Sequence, residues 1–356
     1  MTIQLARETM LTFSFLLGLV GIVPASTAQP HVSVSNIRRV FDNGEHNAFT
    51  DMIRFRDRYY LTFRNCPDGH MLHPTSSIIV LSSTDTREWK PVHRFSVPLR
   101  DVRDPHFLVF EDKLFVYSGT WYCGEGSPDT RDMNEQLGYG VWTSDGENWS
   151  DPILLEGTYG HYIWRAAAYD GKAWLCGRRK HGFARTTSRA DWDRVVESAL
   201  LVSEDGLTFR TAGLFQETYG DETAFLFEED GSITAVARSR ANRNAQVCLA
   251  KPPYREWSRV NLDRYIGGPV LAKWDGRYVV GGRKMVNGTR RTSLYWLIDK
   301  NRLEEFAELP SDGDNSYPGF IALSPTRALV SWYSSHEKNP DSTMMTAIYL
   351  ADLELK

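Results

Sequence analysis

Cysteine is scarce in this chain. Its 356 residues hold four, at positions 66, 123, 176 and 248, too few to staple a chain of this length into a disulfide scaffold. No CxxC pair or His/Cys cluster has the spacing of a structural zinc site, and His70 and His73 fall in a loop, so neither metal nor cofactor is expected. An excess of one charge is also missing. At a net charge of −4 the chain has no general attraction for nucleic acid or anionic lipid.

Long apolar runs are absent apart from one. Arg7 precedes an apolar stretch from Met10 to Val23, which Pro24 and the small residues Ala25-Ser26-Thr27-Ala28 follow. That is the layout of a signal peptide over 1–28, too short to span a bilayer, and it implies a secreted or periplasmic mature chain. Cys176 and Cys248 fall in strand patterns and read as buried thiols. Cys66 and Cys123 follow the second strands of neighbouring repeats, where pairing after export is one outcome.

What the chain has in plenty is a hairpin. An apolar strand runs into a polar turn and returns as a second strand at 51–64, 104–119, 164–179, 222–238, 268–283 and 317–335. The turns fall near Asp57, Asp112, Gly171, Gly231, Gly276 and Pro325, 45 to 60 residues apart. A hairpin repeat of that length means radial repetition. The expected fold is all-β: a six-bladed β-propeller of four-stranded antiparallel blades, forming a single domain over 29–356. The strand-like segment 31–41 belongs to no copy and is expected to complete the last blade beside 346–355, removing a free edge. The 11 Trp and 16 Tyr suit both sheet packing and sugar stacking.

Three second hairpins share a turn: Ser83-x-Asp85 followed by Trp89, Thr143-x-Asp145-Gly followed by Trp149, and Ser203-x-Asp205-Gly followed by Phe209. The Asp side chain can bond turn amides, and the aromatic can pack under the next strand. A degenerate fourth copy reads Pro253-Tyr254-x-x-Trp257.

In such a ring, the starts of first strands and the ends of second strands meet at one face around the axis. The starts bring Asp51, Arg103-Asp104, Trp164-Arg165, Asp221-Glu222 and Ser316-Tyr317; the ends bring Arg64, Arg178-Arg179, Arg238, Arg283 and Ser334 to Glu337. A charge at one strand end is ordinarily just solvated. Arginines and carboxylates from all six repeats converging on one rim describe a polar pocket that takes anions.

The repeat, the Ser/Thr-x-Asp turns and two segments together resemble the sialidase superfamily, whose propellers carry such turns as Asp-boxes, also called BNR repeats. The segment 221–240 resembles the fourth-blade stretch in which a Glu opens the inner strand and an Arg closes the next. The segment 315–337 resembles the stretch that holds the tyrosine nucleophile. The resemblance implies a secreted glycoside hydrolase acting on a terminal acidic sugar of a glycan. Glu222 would be the base for Tyr317, Asp51 or Asp104 would serve the acid/base step, and Arg64, Arg103, Arg165, Arg238 and Arg283 would hold the anion beside Trp164 and His336. A neutral phenol suits a substrate whose anomeric carbon bears a carboxylate, since an anionic nucleophile would be repelled. One departure stands out. Where sialidases place Arg-Ile-Pro at the start of the first inner strand, this chain reads Thr50-Asp51-Met52.

Other readings remain open. Arg103-Asp104-Pro105 resembles a motif of five-bladed furanosidase-type glycosidases, which would make Asp51, Asp104 and Glu222 the working carboxylates. A uronate polysaccharide lyase would use His161 or His336 with Tyr317 and the arginines. A binding propeller without chemistry would need rim aromatics such as Trp121, Tyr122 and Trp164, and no acid/base pair.

Overall fold

The computed structural model describes residues 29–125 and 132–356, so the signal peptide read over 1–28 lies outside the described residues. Turn chemistry sets the hairpins. Glu111-Asp112, Asp170-Gly171 and Asp275-Gly276 have positive φ at both positions, the two-residue turn whose twist matches the strands it joins. At the Ser/Thr-x-Asp turns, the hydroxyls of Ser83, Thr143 and Ser203 each accept from the amide three residues on at 2.9 Å. Oδ1 of Asp85, Asp145 and Asp205 accepts two further amides each, at 2.7 to 3.0 Å. The degenerate copy has Pro253 where the others have Asp, and Trp257 donates its indole N–H to the Tyr254 carbonyl, as Trp89 does to that of Thr86.

The hairpins assemble into six separate four-stranded antiparallel sheets arranged as a β-propeller. Their inner strands are His46–Phe55, Arg100–Phe110, Tyr162–Tyr169, Gly220–Phe227, Gly267–Trp274 and Asn315–Ala322, here blades one to six. In five blades the strands follow chain order from the axis outwards. The sixth borrows its outer strand from the chain's start: Val32–Phe41 pairs antiparallel with Met344–Leu355, as expected.

Apolar faces meet between blades. Phe55, Ile78, Val80, Val102, Phe107 and Val116 form one core between the first two blades, each such side chain contributing about 1.5–3 kcal/mol. Trp274, Trp296 and Trp332 fill the space between the last two. Cys176 and Cys248 are buried, and burial pushes their thiols up to about 11 and about 12. Cys66 and Cys123 are not bridged: Cys66 Sγ lies 3.8 Å from Thr75 Oγ1, and Cys123 Sγ lies 3.6 Å from the Trp121 carbonyl. Among the described residues, no helix is long and apolar enough to cross a membrane.

One irregularity recurs in all six blades. Near its start every inner strand carries a one-residue bulge against the second strand, between Ala48 and Asp51, Arg103 and His106, Ile163 and Ala166, Gly220 and Thr223, Gly267 and Val270, and Ser316 and Gly319. A bulge bends the strand and re-aims its side chains. In the first, second, fourth and sixth blades it brings residues to the cavity; in the third it turns Trp164 and Arg165 elsewhere.

Candidate active site

A cavity of about 590 Å³ opens at the bulged end of the inner strands. Residues inside the bulges line it: Phe49 from the first blade, Asp104 from the second, Asp221 and Glu222 from the fourth, and Tyr317 from the sixth. Phe49, Asp104 and Tyr317 share positive φ, 64°, 46° and 50°. That conformation is costly for bulky residues and is found where a site over-determines it. In the fifth blade the same place is taken by Gly268, also at positive φ; a Cβ there would sit 2.7 Å from the Tyr317 ring. The glycine therefore gives Tyr317 its bed.

The centre is a carboxylate–phenol pair. Tyr317 Oη donates to Glu222 Oε1 at 2.8 Å. Glu222 Oε2 accepts from Arg238 Nη1 at 2.8 Å and from the Gly268 amide at 3.2 Å. One oxygen is thus anchored while the other faces the phenol. Burial first, then the Glu222 charge, raises the Tyr317 phenol well above its ordinary range, so it stands neutral with its proton aimed at a base. Arg238 Nη1 also lies 3.4 Å from Tyr317 Oη, and the Arg283 guanidinium lies 5.4 Å from the Tyr317 ring centre.

Among the described residues, Asp104 is the cavity carboxyl that no arginine pairs with directly. Tyr162 donates its hydroxyl to Asp104 Oδ2, while Oδ1 is buried without a partner. Burial, then the nearby Glu222, pushes its pKa up to about 6. A carboxyl that keeps its proton to that pH, with one oxygen free, is suited to general-acid work.

Each cavity arginine has a protein carboxylate. Arg178 pairs with Asp221, Arg238 with Glu222 and Asp221, Arg240 and Arg189 with Asp193, Arg103 with Asp101, and Arg283 with Asp314. Arg103 also lies over the Phe49 ring at 5.1 Å and donates to the His70 carbonyl at 2.7 Å. The connection after the third blade's second strand adds a wall. Its helix Arg189–Val195, capped by Ser188 on the Asp191 amide at 3.1 Å, supplies Arg189, Trp192 and Asp193.

Of the residues expected from the sequence, Glu222, Tyr317, Asp104, Arg103, Arg238 and Arg283 line the cavity. Asp51, Arg64, Arg165, Trp164 and His336 do not. Asp51 follows the bulge rather than occupying it, so it lies beneath, with Oδ1 2.6 Å from Arg165 Nη1 and Oδ2 accepting the Phe107 amide at 2.9 Å. Its shift corrects the first-blade comparison: the cavity position holds Phe49, an apolar ring, not a carboxylate. Arg64 is fully buried, bound to Asp101 at 2.9 Å and to the carbonyls of Gly69 and Met71, and so braces the loop that carries His70, Met71 and Leu72 into the wall. Trp164 is buried with its ring edge-on to His106 and Tyr317. His336 bonds Ser334 and packs on Tyr349. His161 does not line the cavity either; its Nε2 meets Arg179 at 3.1 Å, and burial, then Arg179, lowers its pKa to about 4.

Asp221 and Arg178, expected at the rim, also line the cavity, whereas sequence reasoning passed over Phe49, Tyr162, Arg189, Trp192, Asp193 and Arg240. One signal for Phe49 was present: Asp104-Pro105, Gly268-Pro269 and Tyr317-Pro318 mark the bulge in three copies, and aligning on them puts Phe49-Thr50 in register.

His70, read as a loop residue, joins a cluster. His46 Nε2 and His70 Nδ1 both reach Asp314 Oδ2, at 2.9 and 2.7 Å, a donor set that could accept a metal ion. The residues do not fit one well. Asp314 is already balanced by Arg283 and the Tyr333 hydroxyl, and buried Nδ1 of His46 has no partner to orient a ligating ring. Although burial opposes its charge, hydrogen bonds from His46 and His70 hold the Asp314 carboxyl well below the usual carboxylate range.

No family model matches the sequence, and no curated protein does either. Solved structures do. A protein of unknown function from Dyadobacter fermentans is 19% identical with a TM-score of 0.73, covering 92% of this chain and 100% of that one. Trypanosoma rangeli sialidase in complex with the inhibitor DANA is 13% identical with a TM-score of 0.64, and the Hadza microbial sialidase Hz136 is 14% identical with a TM-score of 0.65. These two cover 90% and 86% of this chain, which spans 59% and 65% of theirs. The chain therefore has a sialidase-like six-bladed β-propeller fold.

Proposed function

We propose that this chain is a glycoside hydrolase that removes a terminal carboxylate-bearing sugar from a glycan, using Tyr317 as nucleophile. The observation that carries the reading is the Tyr317–Glu222 hydrogen bond at 2.8 Å inside a cavity ringed by Arg103, Arg238 and Arg283. As Tyr317 Oη bonds to the anomeric carbon, its proton passes to Glu222 Oε1. Asp104 gives its proton to the departing glycosidic oxygen, then takes one from the water that releases the sugar, and Glu222 returns the proton to Tyr317. Arg238 and Arg283 bind the sugar's carboxylate, with Arg103 as the third guanidinium, and Phe49 gives an apolar wall where sialidases have an arginine. The basic layout 1–28 supports export, which N-terminal sequencing of the mature protein tests.

The furanosidase-type reading is weakened because Asp51 lies outside the cavity, and the lyase reading because His161 and His336 do. Binding without chemistry leaves the Tyr317–Glu222 pair and the raised Asp104 without a use. The decisive experiment is a screen of aryl glycosides of sialic, uronic and neutral sugars, followed by Arg238→Ala on any substrate found. The expected result is turnover of a carboxylate-bearing glycoside, with a KM that rises far more in the variant than for a neutral sugar. Turnover of neutral furanosides alone would sink the proposal.

A further inference from the structure

Beside the cavity lies a second one, of about 390 Å³, lined by Thr218, Tyr219, Ser239, Arg243, Asn244, Gln246 and Asn261. The two share Ser239, and the turn after it divides them: Ala241 and Asn242 face the first, Arg243 and Asn244 the second. Tyr219, Ala241 and Asn242 all hold positive φ, 54°, 56° and 53°, and the Arg240 amide donates to the Tyr219 carbonyl at 2.9 Å, which ties the base of this exposed turn to the neighbouring strand connection.

The lining is rich in hydrogen-bonding groups. Gln216 bonds both Ser239 and Gln246, and Gln246 bonds Asn261 at 3.0 Å, which sets the amides in a row. Asn244 spends its Nδ2 on the Leu262 carbonyl. The Arg243 Cζ lies over the Tyr219 ring, 3.5 Å from its centre, close enough for the guanidinium to stack on it. Stacking of this kind fixes the plane of the group and leaves its edge donors outward. Every arginine of the first cavity has a carboxylate within ion-pair distance; among the described residues Arg243 has none.

We propose that this second cavity is a subsite for the sugar unit next to the one cleaved, and that Arg243 receives an anionic group on that unit. The inference rests on the hydrolase reading for its register along the glycan, and on the lining alone for its anion. Amides in a row suit ring hydroxyls, and an oriented guanidinium with free donors suits a carboxylate or sulfate.

The test separates the two. Isotope-labelled Arg283→Ala protein, weakened in the first cavity, is titrated with D-glucuronate and with D-glucose while backbone amides are followed by NMR. Glucuronate is expected to shift the amides of Arg243, Asn244 and Asn261 at least tenfold more tightly than glucose, and adding Arg243→Ala is expected to erase the difference. Equal binding of both sugars, or a preference that survives Arg243→Ala, overturns the subsite. Arg243→Lys keeps the charge without the stacking and is expected to fall between. On an oligosaccharide with an acidic second unit, Arg243→Ala is expected to raise KM about tenfold relative to the aryl glycoside of the same terminal sugar. If wild type turns over no acidic aryl glycoside, the hydrolase reading fails, and the titration still decides whether the cavity binds an acidic sugar.

Discussion

Two arginine–carboxylate clusters occupy the axis of this ring, one on top of the other, and they differ in what they leave unsatisfied. In the lower one Arg165 gives Nη1 to Asp51, Nη2 to the Pro318 carbonyl and Nε to the Pro269 carbonyl. Beside it His106 lies 3.4 Å from Asp51, and burial, then Arg165, drops its pKa to about 4, so it stays neutral. In the upper cluster Arg238 keeps 22% of its side chain exposed, Tyr317 has a transferable proton, and Asp104 keeps a bare oxygen. Paired charge at a propeller axis is therefore no mark of a site. Unspent hydrogen-bonding capacity facing a cavity is what the upper cluster adds, and on it the candidate site rests.

That contrast can be broken or sharpened by substitution. Glu222→Gln is expected to lower kcat by roughly 10³-fold or more, within the usual range for losing a catalytic base, while Tm stays within a few degrees. Retained activity in steady-state assays would remove the upper cluster's role. Asp51→Ala is expected to act in the opposite way, costing about 3–5 kcal/mol of stability by leaving Arg165 buried and unpaired. Denaturant unfolding that matches wild type would mean the lower cluster is not the plug it resembles.

The acidity of Asp104 makes a smaller, pH-resolved effect. With the carboxyl protonated up to about 6, kcat/KM is expected to fall as pH rises through that value, and Asp104→Asn is expected to abolish this limb. Stability carries the same signature. Unfolded, the group ionises near 4, so between about 4 and 6 the folded chain holds more protons and stability declines as pH rises. Melting curves of wild type that match Asp104→Asn across that window would contradict the shift. The smallest effect is expected at the outer turns: Asp205→Ala, which strips two amides of their acceptor, should lower Tm by about 2 °C and leave kcat unchanged.

The ring was legible in the sequence because its determinants are local. Turns such as Asp275-Gly276 and the Ser203-x-Asp205 motif specify hairpins within a few residues, and six copies leave little choice of architecture. The lone segment 31–41 could be placed because only one blade lacked a strand. The site was legible to within a residue or two, and that margin decided its membership. Glu222, Tyr317 and Asp104 sit inside bulges, whereas Asp51 sits one step past one, and hydrophobic periodicity does not reveal an inserted residue. Arg64 and Arg283 occupy matching ladder positions, opposite Ala48 and Gly267, yet one is spent on Asp101 and the other reaches the cavity. Only the neighbouring blade settles that difference. The wall from Arg189 to Asp193 lies in an insertion between strands, where the repeat gives no register at all.

The seam at Val32 and Leu355 has a temporal consequence. Val32–Phe41 must wait for Met344–Leu355, the strand of the ring made after all the others, so the ring cannot lock until that strand has emerged. Tyr317 belongs to that final blade and Glu222 to one made long before. Until that seam has paired, the two have no closed frame to hold them together.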